Sequence, residues 1–210
     1  MKKVLLISPH FDDAVLSAGQ FMAGRPDTDV LTVFGGYPKD LDASTPYDVK
    51  CGFEKARDAV TVRRQEDDEA LSNLQANSFY LEFSDSQYGE THDRNEILKA
   101  IKNFILENDY EFVLCPIGIS HPDHILVAKI VKSLEPYIDK NIYYWEDLPI
   151  RVVEPMEAFK RLNELGVKEL VFPGTGPVVK KIRALSCYKS QIGTGILDPY
   201  LMYVPERFWK

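Results

Sequence analysis

Short apolar runs rich in branched residues alternate with helical patterns along this chain. The runs lie at residues 4–8, 30–34, 79–83, 112–116, 142–145 and 170–172, and the helical patterns at 15–23, 56–73, 96–106, 124–134 and 177–190. Strands that alternate with helices form mainly parallel sheets with helices on both faces, and right-handed crossovers then give a doubly wound α/β fold. The 210 residues suit a single domain over residues 1–210. Because ligands of such folds bind beyond the carboxyl ends of the strands, a functional site is expected at that edge.

Two clusters of histidine and aspartate follow predicted strands at this edge. The first is His10-Phe11-Asp12-Asp13, after the first strand, and the second is His121-Pro122-Asp123-His124, after the strand at 112–116. Three of the four histidines of the chain lie in these clusters. Since such groups are costly to bury without partners, the pairing predicts a metal ion between the clusters.

The residue types favour zinc and a hydrolytic reaction. Zn²⁺ prefers histidine nitrogen and carboxylate oxygen, and catalytic zinc sites keep three protein ligands with one position open. His10 and Asp13, together with His124, can supply such a set, although Fe²⁺ accepts the same donors. Asp12 is then free to accept a proton from water, and His121 can donate to an oxyanion or to a leaving amine.

The same side chains have a structural alternative. The aspartates of either cluster, or His121, could cap the helices that follow them. The fourth histidine, His92, lies among polar residues and is interpreted as part of a solvated loop.

Composition argues against several classes of protein. A net charge of −7 and the lack of a basic stretch argue against a nucleic-acid partner. No apolar stretch approaches the roughly 20 residues that span a bilayer, and acidic residues end the first apolar run too early for a signal peptide. Cys51, Cys115 and Cys187 lack metal-site spacing. They are interpreted as reduced thiols, which favours a cytoplasmic protein.

At the two clusters the sequence resembles the PIG-L/LmbE-like family of zinc-dependent de-N-acetylases. That family has a His-Pro-Asp-Asp-Glu type motif after its first strand and a His-Pro-Asp-His type motif later. The second motif is intact at 121–124, whereas Phe11 replaces the proline and Ala14 the glutamate of the first. The charged stretch at 63–67 and the segment that closes at Gln191 extend the likeness over most of the chain.

The resemblance implies a Rossmann-like α/β fold and a defined set of roles. It implies His10, Asp13 and His124 as zinc ligands, Asp12 as general base, and His121 as the group that stabilises the oxyanion and protonates the amine. The implied reaction removes an N-acetyl group from an amino-sugar-type substrate, such as an N-acetylglucosamine conjugate, and gives a free amine and acetate.

Substrate contacts and rival functions remain open at this point. Asp123, Arg64 and Gln191 are predicted to orient ligands or to bind substrate, with Glu146 and Asp147 as further candidates and surface or capping polarity as the alternative. One rival function is a non-catalytic metal- or sugar-binding protein on the same fold. The other is a magnesium-binding receiver-like module, although histidines favour a softer metal than magnesium.

Overall fold

The computed structural model describes residues 2–172, 175–192, 194 and 203–210, and within them seven strands form one sheet. The strands are β1 (Lys3–Ser8), β2 (Asp29–Thr32), β3 (Asn77–Tyr80), β4 (Tyr110–Pro116), β5 (Asn141–Trp145), β6 (Glu169–Leu170) and β7 (Phe208–Trp209). They lie in the order β3-β2-β1-β4-β5-β7-β6. The first five are parallel, and β7 is antiparallel to β5 and to β6. The predicted mainly parallel sheet is therefore confirmed.

Helices cover both faces of this sheet. They are α1 (Asp13–Ala23), α2 (Pro46–Lys50), α3 (Ala56–Asn73), α4 (Arg94–Leu106), α5 (Pro122–Leu134), α6 (Ile150–Val153), α7 (Pro155–Leu165) and α8 (Val178–Leu185). Alternate residues of β1 face opposite ways: Val4 and Leu6 join a core with α1, α3 and α8, whereas Leu5 and Ile7 join one with α4, α5 and α7. Burial on both faces explains why β1 is a continuous apolar run. None of the helices in the described part of the chain has the length and apolarity needed to cross a bilayer.

The strand order places a crevice between β1 and β4. From β1 the chain crosses to β2 and β3 on one side, and from β4 it crosses to β5 on the other. Such a reversal opens a crevice beyond the carboxyl ends of the two strands. Receiver-like domains have the order 2-1-3-4-5, so the receiver-like alternative does not fit this sheet.

Several sequence-based boundaries need correction. The strand predicted at 170–172 ends at Leu170, and the helix predicted at 177–190 ends at Leu185. The segment at 37–53, which carries none of the predicted helical patterns, contains the short helix α2. Helix α7 and strand β7 were not predicted, although Pro155 at the start of α7 and Gly166 after its end are ordinary boundary signals.

The buried face of α3 carries charge that the sequence did not suggest. Arg63, Glu66 and Asp67 are buried on it, whereas the apolar Val62 is half-exposed. Each buried charge has a partner within the fold. Arg63 pairs with Asp48 on α2 at 2.7 Å, Glu66 accepts hydrogen bonds from Ser190, and Asp67 accepts them from Tyr188 and Tyr80.

Candidate active site

The first cluster lies in a turn that its own hydrogen bonds fix. After β1, the Ser8 hydroxyl donates to the His10 carbonyl at 2.6 Å and accepts from the Ala14 amide at 3.1 Å. The carboxylate of Asp13, the first residue of α1, accepts from the His10 amide at 2.8 Å. These bonds hold His10 and Asp13 on the same side of the turn.

The second cluster follows a turn that requires glycine. Gly118, after β4, has a φ of +80°, and a Cβ there would lie 2.8 Å from the His124 carbonyl oxygen and from the Ala128 Cβ. The close turn brings the chain straight into α5, on which His124 is buried. His121 is the residue that precedes this helix.

The two turns bring the three predicted ligands together. One carboxylate oxygen of Asp13 lies 3.2 Å from His10 Nδ1 and 3.2 Å from His124 Nε2. Two ligand atoms of a tetrahedral zinc site, each at 2.0–2.2 Å from the ion, lie roughly 3.3–3.6 Å apart. These two distances are close to that spacing, and the donor types are those that zinc prefers.

The other nitrogen of each histidine predicted as a ligand faces a carboxylate. His10 Nε2 lies 3.1 Å from Asp123, and His124 Nδ1 lies 2.5 Å from Asp147. Metal-ligating histidines characteristically donate their second N–H to such a partner. The predicted orienting role of Asp123 thus has a matching geometry, whereas Asp147, predicted as a substrate contact, faces His124 instead.

Two other groupings of donor atoms share His10. Nitrogens of His10, His121 and His124 lie within 4.8 Å of one another, and so do atoms of His10, Asp85 and Asp123. Asp123 already faces Nε2 of His10, and the predicted ligand set, which uses Nδ1, leaves that contact in place. Asp85, which lies 3.8 Å from that nitrogen, was not predicted from the sequence.

The field of the site is strongly negative. Burial alone would lower the pKa of His124, but the charge and hydrogen bonds of Asp13 and Asp147 raise it to about 10. The pKa of His10 is likewise raised against burial, by Asp85, Asp123 and Asp13. Burial would raise the pKa of Asp13, yet the two histidines hold it well below its usual range. A field that holds protons on two imidazoles also favours a metal cation in their place.

Asp12 is set apart from the three predicted ligands. It is buried, lines the cavity described below, and does not cap α1 with its side chain, so the capping alternative is wrong for this residue. Burial and the charge of Asp13 raise the pKa of Asp12 to about 6. A carboxylate with a raised pKa is a better proton acceptor than an ordinary aspartate.

His121 both caps a helix and is placed to donate a hydrogen bond in the site. Its Nδ1 accepts a hydrogen bond from the Asp123 amide at 3.3 Å, which is the predicted helix cap. Burial and the charges of His10 and His124 lower its pKa. With Nδ1 as an acceptor, neutral His121 carries its proton on Nε2. It can therefore donate a hydrogen bond to a reacting oxygen.

A cavity of about 420 Å³ opens beside these groups. Besides the clusters, its walls are mainly apolar. They come from the segment after β2, helices α2 and α3, residues 85–88, the segment after β5 and the segment after α8. The lining includes Phe34, Tyr47, Val60, Arg63, Asp85, Gln87, Tyr88, Leu148, Pro149, Ile150 and Gln191. A pocket with apolar walls and a few polar groups is typical of a small-molecule site.

The residues predicted to contact substrate differ in whether they line the cavity. Gln191 lines the cavity and accepts a hydrogen bond from Tyr47 at 2.8 Å. Arg64 does not line it, because one helical step turns its side chain toward the Gly35 carbonyl and Glu82; its neighbour Arg63 lines the cavity instead. Glu146 pairs with Arg151 and Arg207. The prediction of substrate contacts for Arg64 and Glu146 therefore needs correction.

His92 is not a solvated loop residue. It is half-buried, with Nε2 at 3.0 Å from both the hydroxyl and the carbonyl of Ser84, and its ring packs on Phe83. These contacts hold the loop that carries Asp85. Nothing places His92 among the ligands.

Comparison with known proteins gives a consistent result. The sequence model described as "PIG-L: GlcNAc-PI de-N-acetylase" matches residues 5–134. Among solved structures, the chain is similar to a deacetylase triple mutant of the teicoplanin biosynthetic pathway (TM-score 0.80, 29% identity, covering 99% of this chain and 96% of that one). It is also similar to the A40926 pseudoaglycone deacetylase (TM-score 0.74, 26% identity, 91% and 83% covered).

A third similar structure is the zinc-inhibited form of teicoplanin deacetylase (TM-score 0.73, 26% identity, 90% of this chain and 85% of that one). A comparison with curated proteins found no match.

Proposed function

Because this chain belongs to the PIG-L family of de-N-acetylases, we propose that it hydrolyses the N-acetyl group of an amino-sugar-type substrate with the help of a zinc ion. The family confirms the predicted deacetylase activity, and the similar deacetylase structures support it. The products of this reaction are a free amine and acetate.

One observation carries the proposal. A single carboxylate oxygen of Asp13 lies 3.2 Å from a nitrogen of His10 and 3.2 Å from a nitrogen of His124, at the carboxyl edge of the sheet. His10, Asp13 and His124 would hold the zinc. Zinc bound there would polarise an acyl oxygen and would lower the pKa of water to about 7.

Asp12 is the proposed general base. It lies in the cavity wall next to the ligand Asp13, and its raised pKa of about 6 suits a group that accepts a proton near neutral pH. Water adds to the acyl carbon as Asp12 takes its proton. The same carboxyl group can then return that proton to the nitrogen as the C–N bond breaks.

His121 is the proposed oxyanion donor. Since its Nδ1 accepts the Asp123 amide, the Nε2 proton is available to the oxygen on which negative charge develops. Burial and the charges of His10 and His124 lower the pKa of His121, which favours the neutral ring. It therefore suits hydrogen-bond donation better than protonation of the leaving amine, which we assign to Asp12.

The cavity supports a substrate larger than acetate alone. Gln191, Asp85 and Arg63 place polar groups on a mainly apolar wall, a combination suited to the hydroxyls and the ring faces of a sugar. We therefore propose an N-acetylated sugar or glycoconjugate as the substrate.

A panel of N-acetylated sugars and glycosides, assayed for free amine, tests the proposal. The wild-type protein should deacetylate at least one member. Asp12→Asn should lose roughly 10²–10⁴-fold in kcat while it keeps its bound metal, because Asp12 is not among the proposed ligands. Binding of a sugar with no release of amine would instead favour the rival of a non-catalytic binding protein. Full activity in Asp12→Asn would remove this residue from the mechanism.

A further inference from the structure

Asp147 is a buried carboxylate with two partners in the site. It follows β5 and is 1% exposed. One oxygen lies 2.5 Å from His124 Nδ1, and the other accepts a hydrogen bond from the Gly118 amide at 3.0 Å. One oxygen thus faces His124 itself, and the other faces the turn that leads to His121.

The first partner fixes the orientation of a proposed ligand. His124 Nε2 faces Asp13 at 3.2 Å, on the opposite side of the ring from Asp147. A carboxylate can only accept, so the N–H of a neutral His124 ring lies on Nδ1 and leaves the lone pair of Nε2 for a metal.

The second partner fixes the turn before His121. Gly118 has a φ of +80° and packs against α5. Its amide is held by the same carboxylate that holds His124. One side chain therefore links a proposed metal ligand to the turn that leads to the proposed oxyanion donor.

We propose that Asp147 is a positioning residue that keeps His124 Nε2 directed at the metal and anchors the turn that carries His121. This inference rests on the proposed metal site. It adds a residue that follows a third strand, β5, to the two clusters that the sequence indicates.

The test replaces one oxygen of Asp147 with an NH₂ group. In Asp147→Asn the amide oxygen can still accept from Gly118, which turns the NH₂ toward His124 Nδ1. That nitrogen must then accept, so the ring proton moves to Nε2 and blocks the metal. We expect a loss of roughly 10–100-fold in zinc affinity, measured by titration of zinc against a competing chelator.

Asp29→Asn is the matched control. Asp29 is equally buried, at 1% exposed, and accepts hydrogen bonds from Lys3, Asn77 and Tyr110 at the far end of the strands. If Asp147 only supports the fold, both variants will lose stability and neither will lose zinc affinity. If Asp147 positions the ligand, zinc affinity will fall in Asp147→Asn alone.

A second measurement covers the case in which Asp147→Asn does not fold. In the zinc-loaded wild-type protein, nitrogen NMR of the imidazoles should show His124 protonated at Nδ1 and coordinated at Nε2. Wild-type zinc affinity in a folded Asp147→Asn variant, or a His124 ring without a proton on Nδ1, would overturn the inference. Failure of the wild-type protein to bind zinc at all would instead count against the proposed function.

Discussion

Buried carboxylates lie both at the amino ends of the parallel strands (the amino edge) and at their carboxyl ends (the carboxyl edge), but they are neutralised in different ways. At the amino edge, Asp29 accepts from the Lys3 ammonium at 2.9 Å, the Asn77 amide at 2.7 Å and the Tyr110 hydroxyl at 3.0 Å. At the carboxyl edge, the buried carboxylates of Asp13, Asp123 and Asp147 and the half-buried carboxylate of Asp85 face imidazoles instead.

The difference separates a structural carboxylate from a functional one. Asp29 receives its positive charge from the chain itself, so its surroundings are complete. The carboxylates around His10 and His124 outnumber the cationic charge that two imidazoles can offer. Because an unpaired buried charge is costly, this edge favours an added cation, and the amino edge does not.

Among the tests of this comparison, removal of the metal should have the largest effect on activity. A chelator should abolish deacetylase activity, because the carboxyl edge loses its cation. Zinc should restore activity after the chelator is removed, whereas magnesium, which prefers oxygen ligands, should not. Recovery with Fe²⁺ but not zinc would keep the site and change the metal. Activity that persists without any metal would break the comparison.

A substitution at His121 should have the next largest effect. His121→Asn can keep the helix cap, since asparagine is a good capping residue, but its short side chain should not reach the reacting oxygen. We expect kcat to fall by roughly 10²–10³-fold with zinc content and unfolding temperature close to those of the wild-type protein. An equal loss of zinc would indicate that His121 belongs to the ligand set instead.

The pH dependence of stability should distinguish the metal-free protein from the zinc-loaded one. Folding raises the pKa of His124 from about 6.5 in an unfolded chain to about 10, and it raises that of His10. Their contribution is therefore fully present below pH 6.5 and is lost as the pH rises toward 10.

Denaturant unfolding of the metal-free protein should show the free energy of unfolding falling across this window. The zinc-loaded protein should change less, because the cation replaces the protons. Parallel curves for the two forms would argue that the imidazoles and the metal do not compete.

A substitution at the amino edge should have the smallest effect on function. Asp29→Asn removes the buried negative charge that faces the Lys3 ammonium, and this should cost about 1–3 kcal/mol of stability, measured by denaturant unfolding. Its kcat and zinc content should match those of the wild-type protein. A loss of zinc from this variant would show that the two edges are coupled.

Sequence alone was sufficient for the part of the site that local spacing controls. His10 and Asp13 follow one strand within six residues of its end, and His121 and His124 follow another. Once the strands are parallel neighbours, these side chains must lie at the same edge. The fold class follows from the same periodicity, and the structure confirms it.

The remainder depends on contacts between distant segments. Glu146 and Asp147 are adjacent after β5, yet only Asp147 faces His124. Which of the two faces the site depends on how β5 pairs within the sheet, and the sequence does not show this. Similarly, Arg63 rather than Arg64 faces the cavity, because α3 has a particular rotation against the sheet. Strand β7 is two residues long and leaves no readable periodicity.

Anomalous diffraction at the zinc edge from crystals of the zinc-loaded protein tests the central claim most directly. The account predicts a single strong peak about 2.0–2.2 Å from His10 Nδ1, an Asp13 oxygen and His124 Nε2. A peak held instead by His10, Asp85 and Asp123, or by three histidines without Asp13, would contradict it.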